Sequence, residues 1–250
     1  MRTAPPARAR ISDAAIATVR RVPSLLEIQL EVLLSRDAGG RLTVTRDPVA
    51  RPAPRLFLGR SREHNVWAVR RDVDPAMSDA LDRLCAAEPT LAAPCLDAIP
   101  ACRARVRELL APVTVEYRGP AYVLPERLPH DGRARVVAAG ESGAWLDAFP
   151  WLAETFEAVA PVVVAFEMGQ PAAVCHSPRG RTIRAAEAGV ETLAPFRGRG
   201  LATAAVACWA RAVQASGRLA LYGTSWENAA SQAVARRLSA EVHGENWHVT

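Results

Sequence analysis

Between Val190 and Ala202 the chain reads Val-Glu-Thr-Leu-Ala-Pro-Phe-Arg-Gly-Arg-Gly-Leu-Ala, and no other stretch limits the fold as much. Strand-forming residues run up to Leu193, then a proline and two glycines break the strand. Apolar residues at Leu201, Ala205, Cys208, Trp209, Ala212 and Val213 follow at the spacing of one buried helix face. A strand that feeds directly into a helix belongs to a layered α/β protein. The junction is also an anion site. The first turn of a helix has N–H groups without partners and carries the positive end of the helix dipole, and glycines let a pyrophosphate approach the backbone. Arg197 and Arg199, on either side of Gly198, add charge of the right sign.

Two other phosphate-binding patterns are missing from the sequence. GxxxxGKS/T needs a lysine, and all 31 basic residues are arginine. No GxGxxG opens a helix, so nucleotide hydrolysis is disfavoured. The arginine-only usage reads as the genomic bias of a GC-rich bacterium.

Around this junction the patterning predicts a mixed chain. Residues 1 to about 10 are expected to be loose. Ser24 caps a packing helix through Leu33 that Gly39 and Gly40 stop. Short strands at 41–45, 56–58 and 66–69 and helices at 75–87 and 95–110 follow. The proline-rich stretch 112–130, with a strand-like 113–117, reads as a connector. Residues 1–115 are then an N-terminal mixed α/β region of unknown role, and residues 116–250 a second domain. That domain should hold a strand at 135–139, an apolar helix at 145–159, and a hairpin of 162–166 and 172–175 joined by the turn Met168-Gly169-Gln170-Pro171. A strand at 184–193, a helix at 198–216, a strand at 219–224, a helix at 228–238 and a last strand at 241–249 complete it.

Arg197, Gly200 and Ala202 match the pattern Gln/Arg-x-x-Gly-x-Gly/Ala, and Asn228 and Ser231 match Asn-x-x-Ser/Ala. With this order of elements, residues 134–250 resemble the GNAT superfamily of acetyl-CoA-dependent N-acetyltransferases. The resemblance implies a GNAT-like mixed, mostly antiparallel sheet flanked by helices, with an additional N-terminal α+β region. It implies acetyl-CoA as acyl donor, its pyrophosphate on the amides of Gly198, Arg199, Gly200, Leu201, Ala202 and Thr203. The pantetheine arm would pair with the backbone of Thr192 and Leu193 and touch the side chains of Asn228 and Ser231. Asn228 reads equally well as a plain helix N-cap.

Acyl transfer to an amine needs a base that takes a proton from the amine, and the leaving thiolate needs an acid. Glu187 and Glu191 lie four apart on the strand at 184–193 and so share a face. GNAT enzymes often take their base from this strand. Glu191, nearer the acyl end, ranks ahead of Glu187, and a solvated strand carboxylate is the competing reading. The tyrosine that many relatives carry seven positions after the asparagine is Ala235 here. That leaves Tyr222, His243, His248 or water as proton donor, although Tyr222 also reads as a packing aromatic and the histidines as surface residues of a terminal strand. Trp226 closes the core or walls the acceptor pocket. Phe57, Arg60, Arg62, Asn65 and Trp67 form a strand pair with a charged tip, or contribute to the acceptor site. Ala235 also motivates an alternative, a non-catalytic acyl-CoA-binding or regulatory module.

A formal net charge of +5 suits a phosphate-bearing ligand as well as nucleic acid. The arginines are spread along the chain and not interleaved with aromatics, so nucleic acid is not the expected partner. The five cysteines include no CxxC pair and no histidine at ligand spacing, so no metal is expected, and reduced thiols in a cytoplasmic setting are. No apolar run approaches the ~18 residues of a membrane span. The expected partners are acetyl-CoA and an amine acceptor that the sequence does not identify. The oligomeric state, a homodimer included, is left open.

Overall fold

The computed structural model describes residues 23–92, 96–141, 143–179 and 182–250. The readings on the first ten residues and on Cys95 lie outside the described residues. In chain order the elements are α1 (Leu25–Leu33), β1 (Leu34–Arg36), β2 (Leu42–Thr45), β3 (Leu56–Arg60), β4 (Asn65–Val69), α2 (Pro75–Ala86), α3 (Arg103–Leu109) and β5 (Glu116–Val123). Then come β6 (Ala134–Val137), α4 (Ala144–Ala148), α5 (Leu152–Val159), β7 (Val162–Glu167), β8 (Gln170–His176), β9 (Ala185–Thr192), α6 (Leu201–Ala215), β10 (Leu219–Gly223), α7 (Ala229–Arg237) and β11 (Glu241–Val249).

Local chemistry sets these boundaries. Ser24 and Glu27 cap α1 reciprocally, the Ser24 hydroxyl accepting the Glu27 N–H and the Glu27 carboxylate the Ser24 N–H. Met168 and Gly169, both at positive φ, form the two-residue turn between β7 and β8. Alanine-rich α6 starts at Gly200 and stops before Gly217, which takes the left-handed conformation that ends helices.

Nine strands form one mixed sheet in the order β4-β3-β11-β5-β10-β9-β8-β7-β6. Every neighbouring pair is antiparallel except β9 with β10. Alternation along the strands sorts the side chains into two layers. Tyr122, Ala186, Ala188, Ala220 and Tyr222 pack with α6 and α7. On the same side, Leu58 and Trp247 pack against Leu81 of α2 and Val106 of α3. On the other face Ala185 and Leu221 meet Ile28 and Val32 of α1, and Val162, Val164 and Val174 meet α4 and α5. The expected mixed, mostly antiparallel sheet with helices on both faces is present. Strands β3 and β4, from the region before residue 115, continue this sheet through β11.

Four expectations give way. The helix expected from residue 95 begins only at Arg103, because Pro100 interrupts it and Glu88 accepts the N–H groups of Ala101 and Cys102. Pro150 divides the helix at 145–159 into α4 and α5. The stretch read as a connector contains β5, a strand with partners on both sides. Its Pro120 is tolerated because the carbonyl points toward β10 and accepts Thr224 N–H there, so the missing donor faces the point where β10 ends. The last strand lies between β3 and β5, so His243 and His248 are half-buried and not surface residues.

A charged cluster is buried beside β11. Glu245 accepts from Arg60, from Arg118 at 2.9 Å and from Trp226 Nε1 at 2.6 Å, and Arg60 also pairs with Glu88 at 3.0 Å. Two acids and two bases balance, and both Glu245 oxygens are engaged, which a buried ion pair requires. Trp226 therefore closes over this cluster. Next to Arg118, a β-carbon at Gly119 would lie 1.9 Å from the Thr224 carbonyl oxygen, so only glycine lets the chain leave β10 here. Gly119→Ala should cost at least about 3 kcal/mol, the upper end of ordinary overpacking. Urea unfolding measures it, and a loss below about 1 kcal/mol would show that the backbone at Thr224 yields.

Candidate functional site

Strand β9 changes partner halfway. Residues Ala185 to Ala188 pair with β10, and Gly189 to Thr192 pair with β8. The pairing of Leu193 N–H with the Ala172 carbonyl sets the phase, so Val190 and Thr192 turn their backbone groups away from β8, into the space where β10 has left. The Thr192 carbonyl takes one bond, from Arg197 Nε at 3.3 Å. Leu193 was expected to offer its backbone too. Its N–H is bound by Ala172 and its carbonyl accepts Phe196 N–H, which leaves only the second lone pair of that carbonyl open.

This open edge borders a cleft of about 650 Å³ on the α6 face, lined by Val190, Thr192, Arg197, Gly200, Thr203, Tyr222, Asn228, Ser231 and Arg237 among others. Gly198 and Gly200 sit at φ +78° and +79°, and no side chain caps α6, so the N–H groups of Leu201, Ala202 and Thr203 remain available. The Thr203 hydroxyl is buried without a partner. Asn228 caps α7, accepting Ser231 N–H at 3.0 Å, and also lines the cleft. Arg199 turns aside to Glu167 at 3.6 Å and over the Phe196 ring. The second guanidinium comes instead from Arg237, which sequence reasoning missed because it lies at the far end of α7.

Tyr222 is buried on the cleft side, its hydroxyl 2.5 Å from Ser231 Oγ. Burial raises its pKa to about 12, so it holds its proton at neutral pH. Ala235 packs in the same cluster.

The two glutamates differ. Glu191 is exposed, whereas Glu187 is 4% exposed and lies under α1. Gln29 Nε2 donates to Glu187 Oε2, and Arg179 reaches Oε1 at 3.1 Å. Glu187 opens on a second, smaller cavity of about 80 Å³ on the α1 face, with Asp47, Phe57, Tyr117, Arg179, Gly223, Asn246 and His248 around it. His248 stacks on Tyr117 with centroids 4.8 Å apart, and burial, helped by Arg179, lowers its pKa to about 4. Sequence reasoning missed Gln29 and Asn246. The signal for the first was a glutamine within the Leu26-Leu30-Leu33 stripe of α1.

Among the described residues no three His, Cys, Asp or Glu side chains gather as a metal site, and no helix is long and apolar enough to cross a membrane.

No family model matches the sequence, and no curated protein matches it. Among solved structures the chain is similar to a GNAT-family protein from Novosphingobium aromaticivorans, at 18% identity over 55% of this chain and 65% of that one, TM-score 0.43. It is similar to a GCN5-related N-acetyltransferase from Kribbella flavida, at 22% identity over 60% and 63%, TM-score 0.43. A third, a GCN5-related N-acetyltransferase from Sphaerobacter thermophilus, matches at 14% identity over 90% and 84%, TM-score 0.48. The chain spans just under two thirds of the length of the first two.

Burial raises the Glu187 pKa above its ordinary 4.5, outweighing the opposing pull of Arg179. The folded state therefore binds this proton more tightly. The stability this contributes is complete below pH 4.5 and is lost as pH rises through the raised value. Glu187→Gln removes the titration, so the melting temperature of the variant relative to the wild type should climb between pH 4.5 and pH 8. A flat difference across that window would mean an unshifted carboxylate.

Proposed function

We propose that this chain is an N-acyltransferase that takes its acyl group from acetyl-CoA and passes it directly to a small amine. The observation that carries the reading is the parting of β9 and β10 beside the uncapped N-terminus of α6. A ligand with a pyrophosphate and an amide-bearing arm suits this site. The free first-turn amides, the orphaned Thr203 hydroxyl, Arg197 and Arg237 suit the phosphates, and the open edge at Val190 and Thr192 suits the amides of the arm. The 650 Å³ of the cleft falls in the usual range for a small-molecule site. When bound, acetyl-CoA supplies the activated thioester.

In this reading the protein's own residues position and move protons. Glu187 takes the proton from an ammonium group in the smaller cavity. It is preferred to Glu191 because it is buried, faces that cavity, and has a pKa raised toward the range where a base works at neutral pH. Tyr222, hydrogen-bonded to Ser231, holds a proton on the cleft side, in the packing cluster that also contains Ala235. As the amine nitrogen bonds to the thioester carbonyl carbon and the C–S bond breaks, Tyr222 gives its proton to the leaving thiolate and regains, through solvent, the proton that the new amide nitrogen sheds. The reading as a non-catalytic acyl-CoA-binding module rests on Ala235 alone, and turnover with any amine sets it aside.

Acetyl-CoA should raise the melting temperature, since a ligand that binds only the folded state stabilises it. Gly200→Val should lose this shift while still folding, because valine does not adopt φ near +79° at the cleft mouth. No shift with the wild type at millimolar acetyl-CoA sinks the donor assignment. Glu187→Gln should keep the shift and slow turnover, followed by free thiol release, roughly a hundredfold or more. The loss should shrink as pH rises and more of the amine is already neutral. If Glu191→Gln shows that loss and Glu187→Gln does not, the base is Glu191.

A further inference from the structure

The smaller cavity says what sort of amine it is built for. At about 80 Å³ it is an eighth the size of the donor cleft, so it takes a small head group. Leu33, Leu34, Pro54 and Phe57 give it an apolar wall. Its charged groups are two carboxylates and one guanidinium. Arg179 is shared between them, 3.5 Å from Asp47 and 3.1 Å from Glu187, and His248 is neutral, so among the described residues around the cavity no positive charge is left over for an entering acid. A carboxylate entering it would meet two acids and a guanidinium already in use.

Its wall carries a second requirement. Asn246 is 3% exposed, and its Oδ1 has no hydrogen-bond partner. His248 Nδ1, two residues on and on the same side of β11, has none either. Buried polar atoms are rarely left unsatisfied, and those that are often await a ligand. An ammonium placed at Glu187 leaves these atoms unmet unless the same molecule brings another donor.

Building on the acyl-transfer reading, we infer that the acceptor is a small aliphatic amine with a second hydrogen-bond donor and no carboxylate, a diamine or amino alcohol, and that Asn246 selects for that second donor. Asp47 and Glu187 favour its positive charge, and the apolar wall covers its methylenes.

The test uses 1,2-diaminoethane, 2-aminoethanol, 1-aminopropane and glycine, titrated without acetyl-CoA into protein labelled at histidine, with the His248 ring resonances as readout. The two bifunctional amines should shift His248 at concentrations about tenfold or more below 1-aminopropane, and glycine should be weakest. Asn246→Leu should reduce the preference over 1-aminopropane to within about twofold. Should that buried substitution unfold the protein, Asp47→Asn at the half-exposed rim still tests the charge, and 1,2-diaminoethane should bind several-fold more weakly to it. Equal binding of 1-aminopropane, tighter binding of glycine, or full 1,2-diaminoethane affinity in Asp47→Asn overturns the inference. Turnover is scored separately. A His248 response in the expected order without thiol release counts against acyl transfer, and thiol release with glycine preferred counts against the acceptor class.

Discussion

A β-strand has two edges, and β9 uses each of them for only half its length. Residues Ala185 to Ala188 give one edge to β10 and the next four residues give the other to β8. Pro178 packs where the change occurs, so close that a β-carbon at Gly189 would lie 2.7 Å from it. Both cavities border this fork. It exposes backbone groups that an intact sheet would have consumed, and it lies between the α6 cleft and the smaller cavity on the α1 face. It also sets the N-terminus of α6 and the start of α7 on the same side, so that a helix dipole and a polar helix cap face a common space.

The position where the family resemblance expects a tyrosine is Ala235, which packs in the same buried cluster as Tyr222 of strand β10. The Tyr222 hydroxyl rests on Ser231, a residue of the helix that carries Ala235. A protonated oxygen therefore lies beside the fork, and the strand, not the helix, carries it.

The parts legible in the sequence were those whose cause is local. Two glycines at positive φ, an alanine-rich helix and an Asn cap each declare themselves within a few residues, which is why α6, α7 and the turn before them were found. The prolines misled in both directions. Pro150 broke a helix whose apolar spacing looked continuous, and Pro120 sits in a central strand because its missing donor points where the neighbour has departed. The second cavity was not legible. Thr45, Phe57, Tyr117, Glu187 and Asn246 meet there only because β11 inserts between β3 and β5. No spacing rule links those positions, and distance along the strand, which put Glu191 ahead of Glu187, does not register that α1 buries Glu187 while Glu191 stays exposed beside the larger cleft.

The charge cluster under β11 has a consequence for the order of events in folding. Arg60 and Glu245 are 185 positions apart in the chain, so the cluster is complete only when two distant stretches of sequence meet. During synthesis the hairpin of β3 and β4 is complete long before the strand it must join, and β5 likewise waits with one edge bare. Closure of so distant a pair is entropically slow. The growing chain therefore carries two unpaired strand edges until β11 is made, and that interval is when it is most open to aggregation or to help from a chaperone.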